Sequence, residues 1–194
     1  MRFMTDIHAQ IRAFLQQQTV MPFSGREDSA HYTKAGLVPF ITARDPLFYV
    51  MKPLTKHPDL GAPPFQLCKG TRQYYHHGQW RDMRGGWEED GQKEELIETA
   101  LREGIEELGL VLGNIRQLID MGAHAFTSAS TGTKKHMWLF AVEVKSPDRF
   151  LPDADVANTT SERKWIGAAE FSVVGRLDHR YVLTKMAGEK PFIL

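Results

Sequence analysis

Residues 94–110 read EELIETALREGIEELGL, and this stretch decides the fold. Its apolar residues recur three or four positions apart, a spacing that places them on one face of an α-helix. We therefore predict a helix over 94–109 that packs on a core, and Gly109 supplies its C-terminal stop. The apolar stripe of this helix consists of Ile97, Ala100, Leu101, Ile105 and Leu108.

A second face of the predicted helix is acidic. Glu103, Glu106 and Glu107 fall within an arc of roughly 100° when the chain completes a turn every 3.6 residues or so. Neighbouring carboxylates on a helix repel one another, and a cation between them turns that repulsion into attraction. Mg²⁺ suits such a face because it takes oxygen ligands and bridges substrate phosphates. The alternative is a solvated acidic face, which fits the other acids of the stretch at least as well.

The order of residue types is as specific as the spacing: Arg102-Glu103-x-x-Glu106-Glu107-x-Gly109-aliphatic. At ordinary residue usage, a chance match in a chain of this length has odds on the order of 10⁻⁵. Together with Glu94, which precedes Arg102 by eight positions, this segment resembles the motif of the Nudix hydrolase family. The resemblance covers about residues 35–175.

This resemblance implies an α/β fold of the mixed α+β kind. The expected architecture is a Nudix-type α/β/α sandwich with a mixed β-sheet and an added N-terminal helix. We expect residues 1–34 to form an N-terminal helix and loop extension. Residues 35–194 would then form the Nudix domain, with a long loop insertion at about 71–93.

The sequence departs from the family motif at two places. Gly104 stands where the family usually has an aliphatic residue, and a glycine inside a helix costs about 1 kcal/mol relative to alanine. The motif glycine is also displaced, because the usual spacing before Glu94 falls on Glu88. Gly70, directly after a predicted strand, is slightly preferred as its replacement, and Gly86 is the alternative.

The activity implied by the resemblance is hydrolysis of a diphosphate bond in a nucleoside diphosphate linked to another moiety, with water attacking phosphorus. The implied cofactor is Mg²⁺ or Mn²⁺. The metal ligands would be Glu103, Glu107, Glu106 and the carbonyl of Gly70.

The catalytic candidates carry different roles. Glu106 and Glu107 would bind metal or orient the attacking water, and Arg102 would support the carboxylates. Glu94 would hold Arg102 as a structural partner. Glu162 is a candidate base or additional ligand, and an exposed loop carboxylate is an equally good interpretation of it.

Residues 71–93 are polar, aromatic and glycine-rich, and we predict a long irregular loop there. Aromatic rings can stack on a base and arginines can grip phosphates. The loop would then select the substrate, and a surface insertion or dimer contact is an equally weighted alternative. The substrate-binding candidates are Arg72, Tyr75, Trp80 and Arg81.

Other segments have clear periodicities. A first helix is expected up to about Gln18, capped by Thr5 and packed on the domain, and residues 19–34 are expected to form a loop. Two paired strands at 35–43 and 46–53 are expected, with Pro39 indicating an edge or bulge. Further strands are predicted at 65–70, 116–126, 136–144 and 164–166, with one or two helices after them.

Composition limits the functional class. The chain has 194 residues, with 24 Lys+Arg and 24 Asp+Glu, so its formal charge is zero and it carries no strong nucleic-acid signal. Its single cysteine, Cys68, excludes an internal disulfide and is expected to pack in the core. No apolar run suits a membrane span and no signal peptide is evident, so we expect a cytoplasmic protein.

Three hypotheses compete at this point. The first is a metal-dependent Nudix diphosphate hydrolase acting on a small nucleotide-type molecule, with homodimerisation expected from family habit. The second is a catalytically weak Nudix-fold module that binds a nucleotide for regulation. The third is an unrelated domain that happens to carry an acidic helix.

Overall fold

Seven strands form the main sheet of the computed structural model, which describes residues 6–22, 32–54, 63–83, 91–127, 132–152 and 160–194. These strands are β1 (Val20–Pro22), β2 (Lys34–Ile41), β3 (Leu47–Pro53), β4 (Cys68–Thr71), β8 (Ile115–Thr127), β9 (Lys134–Val144) and β10 (Thr160–Gly167). A separate small sheet contains β5 (Gln73–His76), β6 (Gln79–Asp82) and β7 (Gln92–Lys93). The helices are α1 (Ile7–Leu15), α2 (Leu96–Leu108), α3 (Ala168–Val174) and α4 (Arg180–Ala187).

The main sheet is mixed in strand direction. Its order is β1-β8-β9-β2-β3-β10, and β4 pairs with β2 as well. The β1/β8 and β2/β9 pairs are parallel, whereas the other pairs are antiparallel. The predicted strand pair at 35–43 and 46–53 is confirmed as β2 and β3.

Helices cover both faces of this sheet. Successive strand residues point to opposite sides, so neighbouring residues of one strand pack against different helices. In β2, Leu37 belongs to a core cluster with Leu101 of α2. The adjacent Val38 belongs to a second cluster with Phe171 of α3 and Leu183 of α4. The expected α/β/α sandwich is therefore confirmed, and α1 lies on the α2 side, where Ile11 joins the first cluster.

The prediction of an irregular loop over 71–93 is wrong for the part that the structure describes. Strands β5 and β6 pair as an antiparallel hairpin around His77 and Gly78, and β7 pairs with β5. Both turn residues have positive φ, 48° for His77 and 79° for Gly78, as a two-residue hairpin turn of the primed type requires. The His-Gly pair between two four-residue runs was the available signal.

Two further expectations need correction. Residues 19–34 were expected to form a loop, but they contain β1 and the first residue of β2. Pro39 lies in a strand with neighbours on both sides instead of at an edge. It falls where β2 changes partner, after Leu37 pairs with Cys68 of β4 and before Phe40 pairs with Phe48 of β3. A missing N–H costs least at such a break in pairing.

The N-terminal helix packs on the domain as predicted. Its N-cap is Asp6, whose carboxylate accepts from the backbone N–H of His8 at 3.0 Å. Thr5, the expected cap, lies outside the described residues. Within the described ranges, no helix has the length and apolar character needed to cross a membrane.

Gly104 allows α2 to lie close to the sheet. A Cβ at this position would stand 2.5 Å from Leu37 Cδ2 and 3.4 Å from Leu110 Cδ2. Leu37 is fully buried, so its side chain has little room to move away. The glycine that departs from the family motif is therefore explained by packing against β2.

We expect Gly104→Ala to destabilise the protein by about 1–2 kcal/mol, because overpacking outweighs the gain in helix propensity. The measurement is urea unfolding of the variant, of Leu37→Ala and of the double variant. The double-variant cycle should show a favourable coupling that restores part of the loss. A stabilised Gly104→Ala protein would contradict this packing account.

Candidate active site

Helix α2 brings the acidic residues of the motif to the β4 edge of the sheet. The backbone N–H of Glu95 donates to the Glu98 carboxylate at 2.7 Å at the start of the helix. The helix ends at Gly109, which adopts the left-handed conformation with φ of 71°. Both predicted ends of the helix are thus confirmed within two residues, and the carboxylates between them have fixed positions relative to β4.

Arg102 is the centre of the site and is only 3% exposed. Its Nε donates to Glu94 Oε1 at 2.8 Å, and its Nη2 donates to the carbonyl of Thr71 at 2.8 Å. Its Nη1 donates to Glu103 Oε1 at 2.6 Å and to Glu106 Oε2 at 2.9 Å. Burial opposes the charged form, but the hydrogen bond that Arg102 donates to Glu94 and the charge of Glu103 raise the pKa of Arg102 above its usual value.

Glu94 is fully buried, and its carboxylate contacts residues from three elements. Besides Arg102, its carboxylate accepts from the backbone N–H of Gln73 at 2.8 Å and from Thr99 Oγ1 at 2.9 Å. His8 Nδ1 of α1 lies 3.2 Å from Glu94 Oε1. These contacts support the predicted structural role of Glu94, which joins α1, β5 and α2.

Glu103 and Glu107 are carboxylates in a poorly solvated place. Burial raises the pKa of Glu103 to about 7, with Arg102 opposing the shift and Glu107 adding to it. Burial also raises the pKa of Glu107, although the backbone N–H of Lys69 donates to its Oε2 at 3.2 Å. Two half-buried carboxylates with raised pKa values are stabilised in the charged state by a nearby cation.

Gly70 lies directly against Glu103. A Cβ at position 70 would overlap the Glu103 carboxylate, so only glycine leaves room for that group beside β4. This contact supports Gly70 as the replacement for the motif glycine. Gly86, the alternative, lies outside the described residues.

Glu106 faces outward, and its side chain is 44% exposed. Within the described residues, no three His, Cys, Asp or Glu side chains surround a common point as metal ligands do. Arg102 holds Glu103 and Glu106, and Lys69 holds Glu107. The three carboxylates would therefore have to turn from these partners to share an ion.

Glu162, a candidate base or additional ligand, lies in a surface ion pair. Its side chain is 50% exposed on β10 and accepts from Lys52 Nζ at 2.6 Å. Strand β10 does reach α2, because Thr160 Oγ1 donates to the backbone carbonyl of Glu107 at 2.7 Å. The contacts of Glu162 are those of a surface ion pair and do not favour a role as base.

The four substrate-binding candidates divide into buried and exposed groups. Arg72 is 8% exposed and its Nε donates to the backbone carbonyl of Glu94, so its guanidinium supports the site from within. Trp80 stacks on His8 with ring centroids 3.7 Å apart, and Tyr75 tilts against Trp80. Arg81 is exposed on β6. The placement of Arg72 and Trp80 argues against direct substrate contact.

Several residues that support the site from other segments of the chain were not predicted from the sequence. Arg12 of α1 donates to Glu98 at 2.6 Å, a contact between residues 86 positions apart. The backbone atoms of Lys69, Thr71 and Gln73 were equally missed, because their side-chain types carry no signal for a main-chain contact. Cys68 packs as expected, fully buried, and burial raises the pKa of its thiol.

Gly70→Ala should destabilise the protein and displace Glu103, because the new methyl group overlaps its carboxylate. We expect a loss of about 1–3 kcal/mol in the free energy of unfolding, measured with urea. The matched control is Gly167→Ala, a strand glycine whose Cβ would have no atom within 4 Å. Equal stability of the two variants would contradict the contact.

Comparison with known proteins places this geometry in a known fold. No protein-family model and no curated protein sequence matches the chain. An Ap4A hydrolase from C. elegans superposes with a TM-score of 0.52 at 15% identity, covering 80% of this chain and 94% of that one.

Two further solved structures agree with this similarity. RenU, a Nudix hydrolase from M. smegmatis, has a TM-score of 0.52 at 14% identity, covering 89% of this chain and 97% of that one. NrtR from Shewanella oneidensis, complexed with a 27mer DNA, has a TM-score of 0.50 at 15% identity. The match covers 79% of this chain and 59% of NrtR. This chain therefore has the fold of the Nudix hydrolases.

Proposed function

We propose that this protein is a Nudix-type pyrophosphohydrolase that uses a divalent metal ion. It would cleave a diphosphate bond in a nucleoside diphosphate linked to another moiety, through attack of water at phosphorus. The observation that carries the proposal is the buried Arg102–Glu94 pair. In a chain with this fold, Arg102 also pairs with Glu103 and Glu106 of α2, and Glu103 lies against Gly70.

The donor set suits Mg²⁺ or Mn²⁺. Glu103, Glu107 and Glu106 together with the Gly70 carbonyl offer hard oxygen ligands, and the raised pKa of Glu103 and Glu107 favours a cation beside them. When bound, such an ion supplies charge neutralisation on the diphosphate and a more acidic water. The overlap that any Cβ at position 70 would have with Glu103 supports this choice of ligands.

The chain's own residues position these groups. Arg102 is held by Glu94 and by the Thr71 carbonyl, so its position is fixed before any substrate binds. Glu106 is the exposed member of the acidic set and would orient the attacking water or accept its proton. The Arg102–Glu94 pair is in place before binding, whereas Glu103, Glu106 and Glu107 would turn towards the ion. Positioning and electrostatics would then supply the expected rate gain.

We also propose a class of substrate and a cellular location. The substrate is a small nucleotide-type molecule, and nucleic acid is not expected because the whole chain carries no net charge. The cytoplasm is the proposed location, since one buried thiol suits a reducing compartment.

Glu107→Gln should lower kcat by about 100-fold or more, because it removes one charged ligand while keeping the side-chain shape. The assay uses purified protein with Mg²⁺ or Mn²⁺ on a panel of ADP-ribose, dinucleoside polyphosphates, NADH, a nucleotide sugar, coenzyme A, oxidised dNTPs and 5′-triphosphate RNA. Glu143→Gln is the matched control. Glu143 is similarly shielded, with 13% of its side chain exposed, and pairs with Arg116 on the surface.

The result that would overturn the proposal is an absence of turnover across the panel together with no detectable binding of metal. Thermal stabilisation by one of these nucleotides without any product would instead favour the regulatory module. The observation that favours this second candidate is that Arg102 contacts Glu103 and Glu106, two of the carboxylates that a catalytic metal would need.

A further inference from the structure

A cavity of about 250 Å³ is lined by residues of β2, β4, β8 and β9 together with Arg176 and His179. Its wall includes four basic side chains, Lys34 of β2, Lys69 of β4, Lys135 of β9 and Arg176. Lys69 connects it to the candidate active site, because the Lys69 backbone N–H donates to Glu107. A broader cavity of about 530 Å³ shares Lys34 and Lys135 and adds Thr71 and Asp82.

The positive charge of the smaller cavity is mostly uncompensated. Arg176 pairs with Asp178, at 2.6 Å from its Nε and 3.0 Å from its Nη2. Within the described residues, none of the three lysines has an ion pair. Three lysines around so small a volume favour an anion.

His179 adds a hydrogen-bond donor to the same wall. It is 1% exposed, and its Nδ1 accepts from the backbone N–H of Leu67 at 3.0 Å. A neutral imidazole that accepts at Nδ1 carries its proton on Nε2. Within the described residues, Nε2 has no hydrogen-bond partner, and Asp178 Oδ1 is too distant at 3.9 Å. Burial keeps the ring neutral, since it lowers the pKa of His179 to about 2.

A buried donor without a partner is costly unless a ligand satisfies it. Part of the cavity wall is apolar and contains Phe126 and Met137. Phe126 contacts the His179 ring edge-to-face at 4.9 Å, which fixes the orientation of the imidazole. A group with several acceptor oxygens and two negative charges matches both the lysines and the Nε2–H.

We propose that this cavity binds a phosphate group that the substrate carries in addition to the scissile diphosphate. The inference rests on the proposed function, and it narrows the substrate class to nucleotides with an additional phosphate. That group would be either a phosphomonoester on a sugar or a further phosphate of a polyphosphate chain. Lys34, Lys69, Lys135 and Nε2–H of His179 are its ligands.

Isothermal titration calorimetry with inorganic phosphate in EDTA tests the cavity without metal or hydrolysis. Wild-type protein should bind phosphate, and the double variant Lys34→Ala, Lys135→Ala should bind about tenfold more weakly or worse. Lys145→Ala removes the same charge beyond the other end of β9, where Lys145 Nζ donates to Gly113 O. This control should stay within about twofold of wild type.

His179→Asn is the second variant. The Asn Oδ1 can still accept from the Leu67 N–H, so the fold is retained, but the Nε2 donor is lost. Phosphate affinity should fall about tenfold while the thermal unfolding midpoint without phosphate stays close to that of wild type. Wild-type affinity in this variant and in the lysine double variant would overturn the proposal.

Nucleotide pairs identify where the additional phosphate sits. In EDTA, adenosine 3′,5′-bisphosphate should bind wild type about tenfold more tightly than AMP, or ATP about tenfold more tightly than ADP, and the double variant should lose that gain. A gain for the bisphosphate assigns the cavity to a sugar phosphate, and a gain for ATP assigns it to a chain phosphate. No gain for either, or a gain that survives in the double variant, would overturn the proposal.

These outcomes separate this inference from the proposed function. Turnover of the substrate panel with no phosphate binding in EDTA would leave the hydrolase proposal standing and remove the cavity proposal. Phosphate binding that depends on the cavity lysines, in a protein without turnover, would do the reverse.

Discussion

The buried pair between Arg102 and Glu94 is the interaction on which the rest of the site depends. Removing one partner of a buried ion pair costs about 3–5 kcal/mol, because it leaves the other charge without compensation. Here further hydrogen bonds would be lost with the pair. Glu94 also accepts from the Gln73 backbone and from Thr99, and Arg102 also donates to the Thr71 carbonyl. One ion pair therefore ties α2 to β4 and β5.

The same pair creates a competition for negative charge. Arg102 directs one guanidinium nitrogen at both Glu103 and Glu106, so it neutralises carboxylates that the proposed metal would need. Glu107 depends instead on a main-chain N–H of Lys69. A divalent ion would have to compete with these contacts, and Arg102 would keep Glu94 as a partner after releasing Glu103 and Glu106.

Much of the fold could be predicted from local sequence. The α2 stretch combined apolar periodicity with a stop at Gly109, and β2 and β3 were apolar runs broken by Arg44 and Asp45. The β5–β6 hairpin was missed because its turn pair, His77-Gly78, is a weaker hairpin signal than Asn-Gly or Asp-Gly. The close approach of Gly104 to Leu37 was missed because helix propensity describes a helix without its neighbours.

The candidate site was predictable to a different extent. The acidic residues were found because their spacing on one helix is visible in the sequence. The contact between Arg12 and Glu98 was not, since 86 positions separate the two residues and only the folded chain joins them. Residue type also misled: Arg72 suggested phosphate binding, but its guanidinium is buried against the Glu94 carbonyl. The basic cavity likewise collects Lys34, Lys135 and His179 from distant segments.

The acidic face of α2 is proposed to be a divalent-metal site that Arg102 organises. The most direct test is a crystal structure of the protein soaked with Mn²⁺, read from anomalous scattering. We expect an ion between Glu103 and Glu107 at the Gly70 carbonyl, with the Arg102–Glu94 pair unchanged. Anomalous signal only elsewhere, or none while Glu103 and Glu106 remain on Arg102, would contradict it.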